Sequence, residues 1–279
     1  MFSSKKLFPF EEEFGRGIPV TRKLSLQENS TIPLRALRGP ILRLNSTSTP
    51  QLNYDEVKKK LKPGLVLVFN QMNFDIEELS TRTGSDKDVE AIEDTFAKFN
   101  MPVTVKKDKR RKDIQRIMKD MAKKNFEKYA CIVVILLSHG RMNDMIAARD
   151  GWFRIHDLIT SPLYKNKTLR SKPKLVFVQA CKGNKTMNVY SDNIWFEEEG
   201  HPTEMLQFYS TYEGFLSYRT DKGSYFIQTL CFAIASYGDT KDISEIVDIV
   251  IKGFRDNYAK QIPTVTTNLT QRLVFGDYK

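Results

Sequence analysis

Apolar residues fall into two kinds of run along this chain. Unbroken apolar stretches at 64–69, 131–137 and 175–178, rich in β-branched and aromatic residues and bounded by Pro, Gly or polar positions, predict buried strands. Shorter stretches at 102–105, 205–209 and 271–275 predict three more. Between them, apolar positions recur at helical spacing. Val89, Ile92, Phe96 and Phe99 predict a helix over 86–99, with Ser85 as N-cap and Asp86 and Asp88 favouring the first turn. Ile114, Ile117, Met118 and Met121 punctuate a basic helix running to about 124, and a short helix is expected over 153–159. Phe226, Leu230 and Ile234 mark a helix over 223–237; Ile246, Ile249, Val250 and Phe254 mark another from Asp242 to about 258. Six strands alternating with helices predict an α/β fold, a six-stranded, mostly parallel sheet with helices on both faces.

The pattern fails in two places. Residues 1–52 carry scattered Lys and Arg, five Pro (positions 9, 19, 33, 40 and 50) and a polar tract at 45–49, which predicts a disordered or loosely attached arm. Residues 184–204 turn polar and aperiodic, as an exposed connection would. The 41% apolar content is enough for a sizeable core. The longest apolar run, at 129–137, is too short to span a bilayer, and the N-terminus has no signal pattern. Net charge is +10. Its densest cluster, from Lys106 to Lys124, reads as the solvated face of the basic helix; no nucleic-acid module accompanies it, so neither nucleic acid nor a membrane is expected as a partner.

Candidate chemistry sits at strand ends. Cys181 follows the 175–178 run, where open α/β sheets place ligands, and Gly183 allows a sharp turn. Taken alone, Cys181 reads as one more buried thiol. His139, one of three His, stands just past the 131–137 run, followed by Gly140. If the two strands are parallel neighbours, thiol and imidazole share one sheet edge, and the imidazole can activate the thiol. The N–H groups of Gly140 and Cys181 would then suit an oxyanion. On its own, His139 reads as a turn residue with a satisfied ring. Cys131, Cys181 and Cys231 lack metal-site or disulfide spacing, so no metal is expected and a reducing interior fits.

Gln-Ala-Cys-Lys-Gly at 179–183, with Ser-His-Gly at 138–140, resembles the caspase family. Arg-Thr-Gly-Ser-Asp at 82–86 resembles the motif that supplies a substrate-binding arginine there. Tyr-Ser-Thr at 209–211, Ser-Tyr-Arg at 217–219 and the stretch 223–231 resemble the start of the small subunit. The similarity runs from about residue 53 to the C-terminus. It implies a three-layer caspase-like sandwich with a prodomain arm (1–52), a large subunit (53–192), and a linker remainder plus small subunit (193–279). It further implies a short-prodomain, effector-like cysteine endopeptidase cutting after aspartate, in apoptosis or related signalling, in the cytoplasm. Cys181 would be the nucleophile, His139 the general base and acid, oriented by the Ser80 carbonyl. No cofactor would be needed. A homodimer, upstream caspases and inhibitor-of-apoptosis-type inhibitors would be partners, and Asp192 the processing site. No Asp precedes Asp55, so removal of the arm by such a cut has no obvious site.

The pocket the resemblance implies consists of Arg82, Gln179, Ser217, Tyr218 and Arg219. Two guanidiniums and an amide converging on one carboxylate would select an acidic side chain. Each arginine by itself reads as a surface ion-pair partner. Three departures stand out. Lys182 replaces the usual Arg, which stacks between a Tyr and a Pro; here Lys182 would meet Tyr209 and, at the proline's place, Glu213, suggesting a substitute ion pair. Tyr218 stands where Trp is usual, with Leu216 nearby. The loops after Arg219 and before 260–263 are short. A catalytically silent caspase-like regulator is the alternative these departures leave open.

Overall fold

A computed structural model describes residues 61–183, 203–257 and 261–279. The predicted arm, the expected start of the fold near Tyr54 and the processing candidate Asp192 lie outside them. The central sheet has six strands in the order β11-β8-β7-β3-β1-β2. β1 (Lys62–Asn70), β2 (Val103–Lys107), β3 (Tyr129–Leu137), β7 (Lys174–Gln179) and β8 (Met205–Tyr209) run parallel, and β11 (Thr264–Thr267) closes one edge antiparallel to β8. A smaller three-stranded sheet of β4 (Gly140–Arg141), β5 (Met145–Ala148) and β6 (Gly151–Arg154) hangs from the end of β3, and β9 (Arg219–Thr220) pairs with β10 (Gly223–Ser224).

Both faces of the main sheet are covered, which explains why β3 and β7 are buried along nearly their whole length without polar alternation. One face packs on α1 (Ser85–Ala97), α4 (Tyr225–Tyr237) and α5 (Ile243–Asn257), through Ile92, Phe96, Phe226, Leu230, Ile234, Ile246, Val250 and Phe254. The other face packs on α2 (Arg111–Lys123), the turn His156–Thr160 and α3 (Ser161–Lys165), through Ile114, Met118, Ile159 and Leu163. The predicted inward stripes are therefore the stripes observed, and the sheet is the middle layer of three. α5 begins as expected: the Asp242 side chain accepts from the N–H groups of Ser244 and Glu245, while Glu245 reaches back to the Asp242 N–H, a reciprocal cap.

Three expectations are corrected. The last strand is 264–267, not 271–275. Thr and Val suit an edge strand half in water, whereas Leu273, Val274 and Phe275 are buried because they dive beneath the sheet. There Phe275 packs edge-on against Phe96 and tilted against Phe99. Apolar burial alone does not distinguish such a segment from a strand. Second, 153–159 is not one helix: Gly151–Arg154 is a strand of the small sheet, and only His156–Thr160 winds, as a π-helical turn running into α3. The Asp150-Gly151 turn closes a hairpin there. Third, Ser85 is the first residue of α1, with Gly84 at the cap position in a left-handed conformation (φ 79°). A Cβ on Gly84 would stand 2.2 Å from the Thr220 carbonyl oxygen, so Gly is needed for space as well as for φ. The Ser85 hydroxyl is occupied elsewhere, in the site described below.

The layer between sheet and α4 generates a test. Phe226 is fully buried, its ring edge-on to Phe208 at 4.9 Å. Phe226→Ala should lower unfolding free energy by about 3–5 kcal/mol, measured by denaturant titration. A loss under about 1 kcal/mol would show that this layer is not close-packed.

Candidate active site

Pairing between β3 and β7 sets the site. Leu136 lies opposite Val178 and Leu137 opposite Gln179, and the Ser138 N–H donates to the Gln179 carbonyl. Leu137 and Gln179 are 42 positions apart, and so are His139 and Cys181. The ladder thus delivers the two residues level with each other at the carboxyl ends of neighbouring strands. Both are half-buried. Gly140 opens β4, and a Cβ there would stand 2.3 Å from the Cys181 carbonyl oxygen. Only glycine lets the small sheet approach the cysteine this closely. Gly183 (φ 147°) turns the chain away, with Met142 and Gly214 against it.

His139 is held from behind. Its Nε2 lies 2.8 Å from the Ser80 carbonyl oxygen, and Phe74 packs on the ring at 5.0 Å. A carbonyl only accepts, so Nε2 carries the proton in the neutral ring and Nδ1 is the basic nitrogen. Burial lowers the imidazole pKa, the Ser80 carbonyl opposes this, and the positive charges of Arg82 and Arg219 lower it further. The Cys181 sulfur receives the Ser217 N–H at 3.4 Å and lies 3.9 Å from the Ser217 carbonyl, so the 212–218 loop wraps the thiol. The other two thiols, Cys131 and Cys231, are fully buried, and burial pushes each up to about 12. Among the three cysteines Cys181 alone is accessible.

The arginine expectations divide. Arg82 is no surface residue: its side chain is 1% exposed. Nη1 donates to the Gln71 carbonyl and to Ser85 Oγ, which in turn donates to Asn70 Oδ1. The Nε and Nη2 groups are buried without a partner. Burial first, then repulsion from Arg219, lowers its pKa to about 9, with Asp88 and Cys181 opposing. Arg219 is half-buried, donates from Nε to the Thr83 carbonyl, and is likewise lowered by burial. Gln179 Nε2 donates to Ser217 Oγ, and its Oε1 is buried and unpartnered. Tyr218 is 37% exposed on the rim, near Leu216 in sequence. Gln179 thus touches Ser217, Ser217 touches the Cys181 sulfur, and both arginines lie near enough to Cys181 to act on it electrostatically.

Three supporting residues escaped the sequence reading. Asp88, expected only to favour the helix dipole, is fully buried, accepts from the Ser224 N–H and Gln228 Nε2, and lies near enough to Arg82 and Arg219 to raise both their pKa values. Gln261, also buried, accepts from the Tyr218 N–H and donates to the Ser210 carbonyl, pinning the loop that carries Ser217. Asp144 is the third. Lys182 does reach Glu213, at 3.6 Å, and sits 3.5 Å from the Tyr209 ring centroid, but its nearest carboxylate is Asp144 at 2.9 Å. A lone polar residue adds nothing to an apolar period, whether on a helix like Asp88 or on a loop like Asp144 and Gln261, so no pattern announced them.

No group of metal-ligating side chains occurs among the described residues, and no helix there is long and apolar enough to cross a membrane. The family model for the caspase domain matches residues 63–274. The chain is 34% identical over 239 residues to caspase drICE of Drosophila melanogaster, covering 77% of this chain and 70% of that one. It is 32% identical over 255 residues to caspase-7 of Gallus gallus, covering 81% of each. The crystal structure of caspase-1 from Spodoptera frugiperda superposes with a TM-score of 0.68 at 28% identity, over 78% of this chain and 92% of that one. With its strand-end cysteine and histidine, its buried arginine and this match over most of its length, the chain belongs to the caspase family of cysteine peptidases.

Proposed function

We propose that the chain is an active endopeptidase that cuts proteins after aspartate. The observation that carries this reading is Arg82, a buried cation whose Nε and Nη2 donors have no partner, beside Arg219 and Cys181. Buried donors left unpaired are costly, and a substrate carboxylate would satisfy them. A neutral isostere would not, and discrimination of roughly 10⁴-fold is within reach of such a site.

Cys181 Sγ attacks the scissile carbonyl carbon as His139 Nδ1 takes the thiol proton. The N–H groups of Gly140 and Cys181 hold the oxyanion. The imidazolium then protonates the leaving amine as the acyl-enzyme forms, and water, deprotonated by the same ring, releases the acid product. Ser217, which touches Gln179 and the Cys181 sulfur, and Tyr218 beside it contribute to substrate binding, and no cofactor takes part. We assign 53–192 to the large subunit and 193–279 to the linker remainder and small subunit, with maturation by a cut after Asp192. Thr266 and Thr267 on the open side of β11 are exposed, leaving an edge for a second copy to pair with. We place the homodimer there, in the cytoplasm, with upstream caspases and inhibitor-of-apoptosis-type inhibitors as partners.

Purified protein, intact and after limited cutting within residues 184–202, should hydrolyse fluorogenic peptides with Asp before the reporter. Cys181→Ala should be inert, and an Asn peptide should be a very poor substrate. Equal signals from wild type and Cys181→Ala, or none from either in both forms, would favour the silent-regulator reading. A second test uses pH. Burial and the two cationic neighbours disfavour imidazolium, so His139 stays neutral to lower pH than usual. The acid limb of kcat/KM should therefore fall below about 6.5, the ordinary imidazole value. A limb above that value would contradict it. Third, Gly140→Ala should cut kcat by about 100-fold or more while circular dichroism stays native, because the new methyl meets the Cys181 carbonyl. Near-normal turnover would show that this close approach is not part of the active geometry.

A further inference from the structure

Three loops meet on one ammonium. Lys182 directly follows the proposed nucleophile, and its side chain is 15% exposed. Its N–H donates to the Phe215 carbonyl and its carbonyl accepts from the Gly214 N–H, tying 181–183 to 212–215. Its Nζ lies over the Tyr209 ring, 2.9 Å from Asp144 Oδ1 and 3.6 Å from Glu213 Oε2. The other Glu213 oxygen accepts from the Asn143 N–H. Asn143 (φ 61°) and Asp144 (φ 52°) both adopt left-handed backbone, which few residues other than Gly, Asn and Asp tolerate. The turn between β4 and β5 is thus bent so that Asp144 faces the lysine, and Glu213 holds the bend.

We infer that Asp144 is a positioning residue which, through Lys182, fixes the Cys181 loop against the hairpin that begins at His139 and Gly140. This rests on Cys181 being the nucleophile and His139 its base. The chain leaves β3 at His139, forms β4, turns at Asp144 and returns as β5. Together with the β3–β7 ladder, the contact between Asp144 and Lys182 therefore closes a ring of chain that contains both His139 and Cys181. Glu213 plays the lesser part, being farther from Nζ and engaged by Asn143. Opening the ring would let the thiol drift from the imidazole without disturbing the acid-binding arginines, so chemistry would suffer before substrate binding does.

The test compares Asp144→Asn, Glu213→Gln, Lys182→Met and the Asp144→Asn/Lys182→Met pair, in the full chain. Asn tolerates the left-handed backbone at 144, so the fold is expected to survive. Asp144→Asn and Lys182→Met should each lower kcat by about tenfold with KM within about twofold, and the double variant should be no worse than the worse single. Glu213→Gln should cost less than about threefold. A second readout needs no turnover: the rate at which iodoacetamide alkylates Cys181, the other two thiols being buried. That rate should fall in Asp144→Asn and Lys182→Met in step with kcat, with thermal midpoints near wild type. Wild-type kcat and alkylation in Asp144→Asn, multiplying losses in the double variant, or a rise in KM alone would each overturn the inference. Should wild type hydrolyse no peptide, the protease reading falls, and the alkylation rates by themselves still decide whether Asp144 governs the thiol.

Discussion

The parallel hydrogen-bond ladder between β3 and β7 is the constraint on which the site depends. Side chains alternate across a strand, so a slip of one residue would turn every inward residue of β7 to the other face. Both faces of β7 are buried, and Leu175 and Phe177 belong to one core while Val176 and Val178 belong to the other. Neither set can be exchanged without misfit. The core therefore fixes the register, and the register fixes where His139 and Cys181 emerge. Core residues along the two strands hold the thiol and the imidazole level, and no direct bond between them is needed to do so.

The second constraint is a buried charge. Arg82 sits where a guanidinium is expensive to keep, and burial lowers its pKa accordingly. Part of the cost is met by hydrogen bonds from the first half of the chain, at Gln71 and Ser85. Part is met by the nearby Asp88 carboxyl, whose pKa burial pushes up while the Ser224 N–H and the Gln228 amide oppose that rise. Those two donors come from the second half of the chain, as does Arg219, which bonds back to the Thr83 carbonyl. The two halves are thus joined across the pocket by charge and hydrogen bonding as well as through the β7–β8 ladder. A cut in the polar connection between them would leave both sets of bonds in place.

How much was legible follows from what each feature needs. Buried strands and amphipathic helices repeat their signal, so 131–137, 175–178 and the stripes of α1, α2, α4 and α5 could be read directly. The placement of His139 and Cys181 on one sheet edge was legible because each stood just past such a strand. The errors arose where one signal serves two structures. Buried Leu273, Val274 and Phe275 look like a strand by composition, yet their burial comes from packing under the sheet, while the true edge strand, mostly Thr, is too polar to stand out. Ser85 has the composition of a cap but spends its hydroxyl on Arg82 and Asn70. Asp88, Gln261 and Asp144 act across separations of 136, 43 and 38 residues, on Ser224, Tyr218 and Lys182, and nothing local encodes such contacts.

Lys182 shows what an ammonium demands of a packed site. A guanidinium is a flat fork that can lie against a ring and bond two partners in its own plane. An ammonium is a compact, strongly hydrated point, so a mostly buried lysine needs acceptors brought to it. The Tyr209 face supplies one side here, through attraction to the ring. Two carboxylates supply the rest: Glu213, and Asp144 from a turn held in left-handed backbone. The sequence showed Lys182 and Glu213 as paired departures and suggested a single ion pair. The structure makes the group a triad, with the closer carboxylate contributed by the hairpin that also carries Gly140. A rim built from exchanged parts can thus keep thiol and imidazole together, because what must be preserved is the distance between two strand ends rather than any one side chain that spans it.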